Sequence, residues 1–204
     1  MADGGRCRAA GRRSRASLRS AAEAGLCAGA GRDDAEDRMS IAAASLAIRP
    51  VEGFDLPVLA ALHAACFTAP WDQHWTQQSF KDVLGMPGAG ALIAAIDSEP
   101  VGFAVARVAA DEAELLLIGT RPEYRRSGYG RALLEHMLAA LKRGGAAQVL
   151  LEVAEPNAAA LRFYQELGFR EVGRRPGYFR GETTVDALVL ARRLGEGAAR
   201  KVSQ

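Results

Sequence analysis

The chain is poor in the residues that staple a protein together or hold a metal. Its three cysteines, Cys7, Cys27 and Cys66, are widely spaced and form no Cys-x-x-Cys pair. They encode neither a disulfide framework nor a thiolate metal site, and reduced thiols in a cytoplasmic protein are expected. The three histidines, His63, His74 and His136, lack metal-ligand spacing, so no metal is assigned. No apolar run approaches the length of a membrane span or has the core of a secretory signal, which leaves no membrane partner. An excess of one charge is missing too: 26 Lys and Arg are mixed with 24 Asp and Glu. Without an extended basic surface, no direct binding of nucleic acid is expected.

What is present suits one domain with tails, long enough at 204 residues to bury a sizeable core. In residues 1–44 Arg, Ala, Gly, Ser and Asp dominate, aromatics are absent and no apolar period persists. A disordered extension is expected there. Its Arg and Ser resemble a transit peptide, but the acidic run from Asp33 to Asp37 argues against one. Met39-Ser40 stands just ahead of the first folded element and reads as a natural start. The domain is expected over 45–194, with 195–204 as a frayed tail.

Within the domain, Leu46 to Arg49 reads as a strand ending at Pro50. A helix follows, with Asp55 placed to cap it and Pro57 in its first turn. Ala69-Pro70-Trp71 makes a turn, and Thr76 opens a short helix that Gly85 ends. Strand-like runs Ala91–Ile96, Val101–Val108 and Glu114–Ile118 have short connections, which imply an antiparallel meander. A helix over Tyr129–Lys142 carries Leu133, Leu134, Met137, Leu138 and Leu141 on one face. The buried-looking strand Val149–Val153, a helix Ala158–Leu167, and strands around Phe169–Arg174 and Thr183–Ala191 complete an α/β pattern.

The turn before the long helix, Arg125-Arg126-Ser127-Gly128-Tyr129-Gly130-Arg131, reads as a pyrophosphate seat. Gly128 and Gly130 let backbone N–H groups converge on an anion. The helix start adds unpaired N–H groups and a partial positive charge, and Arg126 and Arg131 can donate charge-assisted bonds. It is not a nucleotide-hydrolase loop, for Gly-Lys-Ser/Thr is absent, nor a dinucleotide fingerprint, because Leu133 stands where a third glycine belongs.

With the meander, this Arg-x-x-Gly-x-Gly turn, the following helix and the segment Asn157-Ala158-Ala159-Ala160-Leu161-Arg162-Phe163-Tyr164 in order, residues 46–194 resemble the GCN5-related N-acetyltransferase (GNAT) family. Ala69-Pro70-Trp71, Asp111 to Leu115, Leu133 to His136, Leu151-Glu152-Val153 and Gly173 to Phe179 resemble its RimI branch, the ribosomal-protein-alanine N-acetyltransferases. The resemblance implies a mixed, mostly antiparallel central sheet flanked by helices on both faces. It implies acetyl-CoA as co-substrate, with no metal, and as partner the N-terminus of a ribosomal protein. A monomer is expected. The sequence departs from the branch at Gly119-Thr120, where Ala-Val is usual, at Phe179, where a second tyrosine is frequent, and in the long spacing from Trp71 to Phe80.

By the same resemblance Glu152 is the general base and Tyr164 the acid that protonates the departing CoA sulfur. The cofactor meets Ile118, Gly119 and Thr120 along its pantetheine arm, Arg125 to Arg131 at its pyrophosphate, and Asn157. An N–H between Ile118 and Thr120 is the expected oxyanion donor. Glu114 is the second candidate base and, with Trp71, Tyr178 and Phe179, lines the expected substrate groove. Residue chemistry alone leaves each role open. Burial in an apolar strand raises a carboxyl pKa, and the same carboxylate can equally pair with an arginine. Tyr164 fits a core tyrosine, Asn157 a plain helix cap and the loop aromatics turn packing.

Overall fold

The computed structural model describes residues 45–195; the expected disordered extension, the start at Met39 and most of the tail lie outside the described residues. Seven strands form one sheet in the order β1-β2-β3-β4-β5-β7-β6. The meander is as the short connections require: β1 (Leu46–Pro50), β2 (Ala89–Ile96), β3 (Glu99–Ala109) and β4 (Glu112–Thr120) pair antiparallel in sequence. Helix α3 (Tyr129–Arg143) crosses over to β5 (Gln148–Ala154), which pairs parallel with β4, and α4 (Ala158–Glu166) leads to the hairpin β6 (Arg170–Arg180) and β7 (Thr184–Arg193). β7 inserts between β5 and β6, antiparallel to both.

Helices cover both faces, as expected for the α/β class. On one side Leu133, Leu134, Met137, Leu138 and Leu141 of α3 and Tyr164 of α4 pack against Ala104, Ala106, Leu115, Leu151 and Val153. The other side is closed by α1 (Leu56–Cys66) and α2 (Gln77–Leu84), whose Leu59, Leu62 and Phe80 meet Ile93, Phe103 and Val105. Each such side chain, fully buried, contributes about 1.5–3 kcal/mol.

Thr76 caps α2 as expected, accepting from the Ser79 N–H. Asp55 differs: it occupies the position before α1, yet its carboxylate does not cap that helix. It instead accepts two bonds of 2.7 Å from Arg49 and one of 2.9 Å from the Glu52 N–H. The buried carboxylate takes the partner that carries full charge, and its pKa is held below the usual range chiefly by Arg49.

Two departures from regular pairing prepare the site. β4 and β5 are in register only from Glu112 to Glu114, opposite Gln148 to Leu150. Beyond that they part, leaving the β5-facing edge of β4 without a strand partner among the described residues. In β4, Leu116 is an extra residue, for Val105 faces Leu117 while Ala106 faces Leu115. Such a bulge bends its strand and re-aims the side chains around it.

Candidate active site

The parting of β4 and β5 opens a cleft of about 400 Å³. Glu152, Glu114, Ile118, Tyr164, Trp71, Tyr178 and Phe179 all line it. These residues come from β5, β4, α4, the α1–α2 loop and β6, separated by more than a hundred positions in the sequence.

Pairing explains why the two acidic residues meet. Partners across a ladder share a face, so Glu114, opposite Leu150, lies on the same side as Glu152, two residues further along β5. Both candidate bases are therefore in one place. The Glu152 carboxyl is pushed above its ordinary range, first by burial and then by the Glu114 charge, while Arg175 pulls it back. Arg175 Nη1 donates to Glu152 Oε1 at 2.7 Å, so the arginine pairing that residue chemistry leaves open also occurs. Glu114 faces Arg107 at 3.8 Å.

Tyr164 is buried against Phe163 and Phe169, with ring centroids at 5.3 and 5.6 Å. Burial drives its pKa well above the phenol value, so it is protonated at every working pH. Among the described residues its hydroxyl has no hydrogen-bond partner but is not sealed off. Asn157 caps α4, its Oδ1 accepting from the Ala160 N–H at 3.1 Å.

The expected phosphate seat lies at the C-terminal end of β4. Arg126 (φ 66°) and Gly128 (φ 85°) are both left-handed, which turns successive N–H groups into a concave nest. After Arg125, the next backbone N–H with a protein acceptor among the described residues is that of Ala132, bonded to Gly128 O at 3.0 Å. The N–H groups from Arg126 to Arg131 are thus unpaired, and no side chain caps α3. Arg125 donates to Thr120 O and Cys66 O, both at 3.0 Å, tying the end of β4 to the end of α1. Arg131 faces Glu135 and Glu166 at 3.9 and 3.8 Å. Gly130 brings the helix against Thr120, whose Oγ1 would be 3.2 Å from an added Cβ. At Gly119 an added Cβ would lie 2.9 Å from Cys66 Cβ and 3.1 Å from Phe67. On that side of β4 the missing side chain makes room for α1.

Several cleft residues are not singled out by the sequence. His63 and Phe67 stack at 4.5 Å beside Trp75, and Asp72 and Gln73 join them in the wall. Burial, with a contribution from His74, pushes His63 down to about 4, so its imidazole is neutral near pH 7. Asp72 is raised, chiefly by burial. On α1, His63 is indistinguishable from a core position, because the helical period that puts it beside Leu59 and Leu62 says nothing about a cleft.

No group of three metal-ligating side chains occurs among the described residues, and no helix there is long and apolar enough to cross a membrane.

An unpaired row of N–H groups beside a cleft holding a raised carboxyl and a protonated phenol suits transfer of an acyl group from a phosphate-bearing thioester. The sequence model of the Acetyltransferase (GNAT) family matches residues 56–169, and the chain belongs to this family. It is an N-acetyltransferase. Its likeness is to the RimI type. It is 33% identical to the ribosomal protein bS18-alanine N-acetyltransferase of Escherichia coli, over 71% of this chain and 95% of that protein. It is 35% identical to the N-alpha-acetyltransferase RimI of Mycobacterium tuberculosis, over 67% of this chain and 85% of that one. The crystal structure of the ribosomal-protein-S18-alanine N-acetyltransferase from Escherichia coli superposes with a TM-score of 0.68 at 30% identity, covering 78% of this chain and all of that one.

Proposed function

We propose that this enzyme acetylates the α-amino group of a ribosomal protein beginning with alanine, by direct attack of the amine on the acetyl-CoA thioester in the cytoplasm. The observation that carries the reading is the convergence of Glu152, Glu114 and Tyr164 on one cleft whose lips are loops suited to a peptide. The similarity to bS18-alanine acetyltransferases supports the acceptor.

The diphosphate of CoA docks on the N–H groups from Arg126 to Arg131, and the pantetheine arm runs along the unpaired edge of β4. A β4 N–H near Ile118 then receives the developing oxyanion. An α-ammonium, with a pKa of about 8, is drawn to the two carboxylates and loses its proton to Glu152, directly or through water. Attack on the thioester carbon forms the C–N bond, the C–S bond breaks, and Tyr164 O–H supplies a proton to the sulfur. The surplus proton on the new amide nitrogen passes through water to the Tyr164 phenolate, leaving one proton on Glu152 to be released to solvent. Burial makes Tyr164 a weaker acid than a free phenol, and a thiolate with a reference pKa near 8.5 leaves without much help. Tyr164→Phe is therefore expected to lower kcat only roughly tenfold, measured at saturating peptide and acetyl-CoA. A loss as large as that from removing the base would contradict this assignment.

The lips are fastened together. Thr183 N–H donates to Pro70 O at 2.9 Å, and a Cβ on Gly181 would lie 2.5 Å from Pro70 O and 2.8 Å from the Trp71 carbonyl carbon. Gly181→Val should part the β6–β7 turn from the Trp71 loop. The expected result is a KM for peptide raised about tenfold with the KM for acetyl-CoA little changed; equal change in both would disconnect these loops from the acceptor.

The acceptor itself is tested by incubation with acetyl-CoA and peptides of varied N-terminus, read by mass. Rapid acetylation of free N-terminal alanine supports the proposal. No peptide turnover together with rapid acetylation of a polyamine would replace it with a small-amine acetyltransferase.

A further inference from the structure

A row of charge crosses the sheet on the face that bears the cleft. Arg107 of β3 faces Glu114 of β4, the gap follows, and Glu152 of β5 is bonded to Arg175 of β6. Between Glu152 and Arg175 the strand β7 places Ala187 and Val189 on this face, so Arg175 reaches over a low, uncharged step. A second cleft of about 380 Å³ lies along this row, and Glu114 and Glu152 line both clefts. Arg175 stands at the junction, its guanidinium 5.0 Å from the Tyr178 ring.

The arginine reaches this place through a local irregularity. β6 advances from Arg175 to Phe179 while β7 advances only from Ala187 to Val185, so Pro176, Gly177 and Tyr178 loop out opposite Asp186. Asp186 fixes the loop, its Oδ1 accepting from the Gly177 N–H and its Oδ2 from Arg174 Nε, both at 2.9 Å. Arg174 also reaches Glu155 at 2.7 Å. Alternation then sends Arg174 and Arg175 to opposite faces, the first to brace the loop and the second to Glu152.

We propose that Arg175 is a positioning residue for the acetyl-transfer reaction, holding the Glu152 carboxylate ionised and oriented at the junction of the two clefts. The inference rests on the reading of Glu152 as the base. Glu152 is 15% exposed and Arg175 is 54% exposed, so the guanidinium keeps most of its hydration while partnering a carboxylate that has lost its own. The other ionisable groups around Glu152 do not serve this end. Glu114 repels it, Asp72 is acidic, His63 is neutral near pH 7, and Tyr164 and Tyr178 are raised phenols. Arg107 is the other cation, and it faces Glu114.

The test uses the full chain with Arg175→Gln and Arg175→Lys. The Glu152 carboxyl carbon, labelled with carbon-13 and assigned by its loss in Glu152→Gln, is titrated by NMR. Arg175→Gln should move its titration to higher pH, and Arg175→Lys should restore most of the wild-type position. In parallel, kcat/KM should fall about tenfold near pH 6 and by less than about threefold near pH 9 in Arg175→Gln. A Glu152 titration unmoved by Arg175→Gln, or a loss uniform across pH, would overturn the proposal. An acidic limb that keeps its wild-type position in Glu152→Gln, instead of one set by the α-amine near pH 8, would remove Glu152 as base and the inference with it, an outcome told apart by the kinetics of that variant alone.

Discussion

Glu152→Gln is expected to lower kcat/KM at neutral pH by roughly 10²- to 10³-fold and to change the shape of the pH profile. With the carboxylate present, the acidic limb belongs to Glu152, whose pKa is raised chiefly by burial. Without it, only acceptor already deprotonated in solution reacts. The residual rate should then climb about tenfold per pH unit until the α-amine titrates near pH 8. Stability should move the other way. A carboxyl whose pKa is higher in the folded protein costs nothing below its unfolded value, costs progressively more as pH rises to its folded value, and costs a constant amount above that. Glutamine removes the cost, so the variant should melt no lower than wild type at neutral pH. A large loss of activity with an unchanged limb, or with a lowered Tm, would assign Glu152 a structural role instead.

Much of the scaffold was legible because the chain's local signals agree with its packing. Pro57, Thr76, Gly85 and Asn157 mark helix ends, and short connections force the meander. The order β5-β7-β6 was not legible, since the apolar pattern of a strand does not say on which side its hairpin partner lies. Glu152 and Tyr164 could be named, but their meeting with Glu114 depends on a register of three residue pairs between β4 and β5. Arg175 is beyond sequence reasoning for the same kind of reason: its reach follows from the loop that Asp186 holds. The aromatic wall of His63, Phe67 and Trp75 stayed hidden because aromatic residues near a helix read as core. At Asp55, side-chain chemistry suggested a cap and a neighbouring guanidinium took the carboxylate.

Gly128→Val should raise the KM for acetyl-CoA about 10²-fold while leaving kcat at saturation within a few-fold of wild type. Space is not the obstacle, for an added Cβ there would meet nothing within 4 Å. The obstacle is conformation, because a β-branched residue resists the φ of 85° that Gly128 adopts. Forced toward negative φ, the turn would lose the left-handed step that follows Arg126, and the N–H groups from Arg126 to Arg131 would no longer converge. Gly128→Asn, which tolerates the left-handed region, should retain most of the affinity, with Gly128→Ala between the two. The phosphates supply the decisive comparison. Acetyl-pantetheine, which lacks the diphosphate, should be used equally poorly by wild type and Gly128→Val, so that the penalty exists only when there is an anion to bind. If the valine variant binds CoA as tightly as wild type, the turn is only a connection. If it loses acetyl-pantetheine turnover as steeply as acetyl-CoA turnover, the substitution has damaged the cleft and not an anion seat.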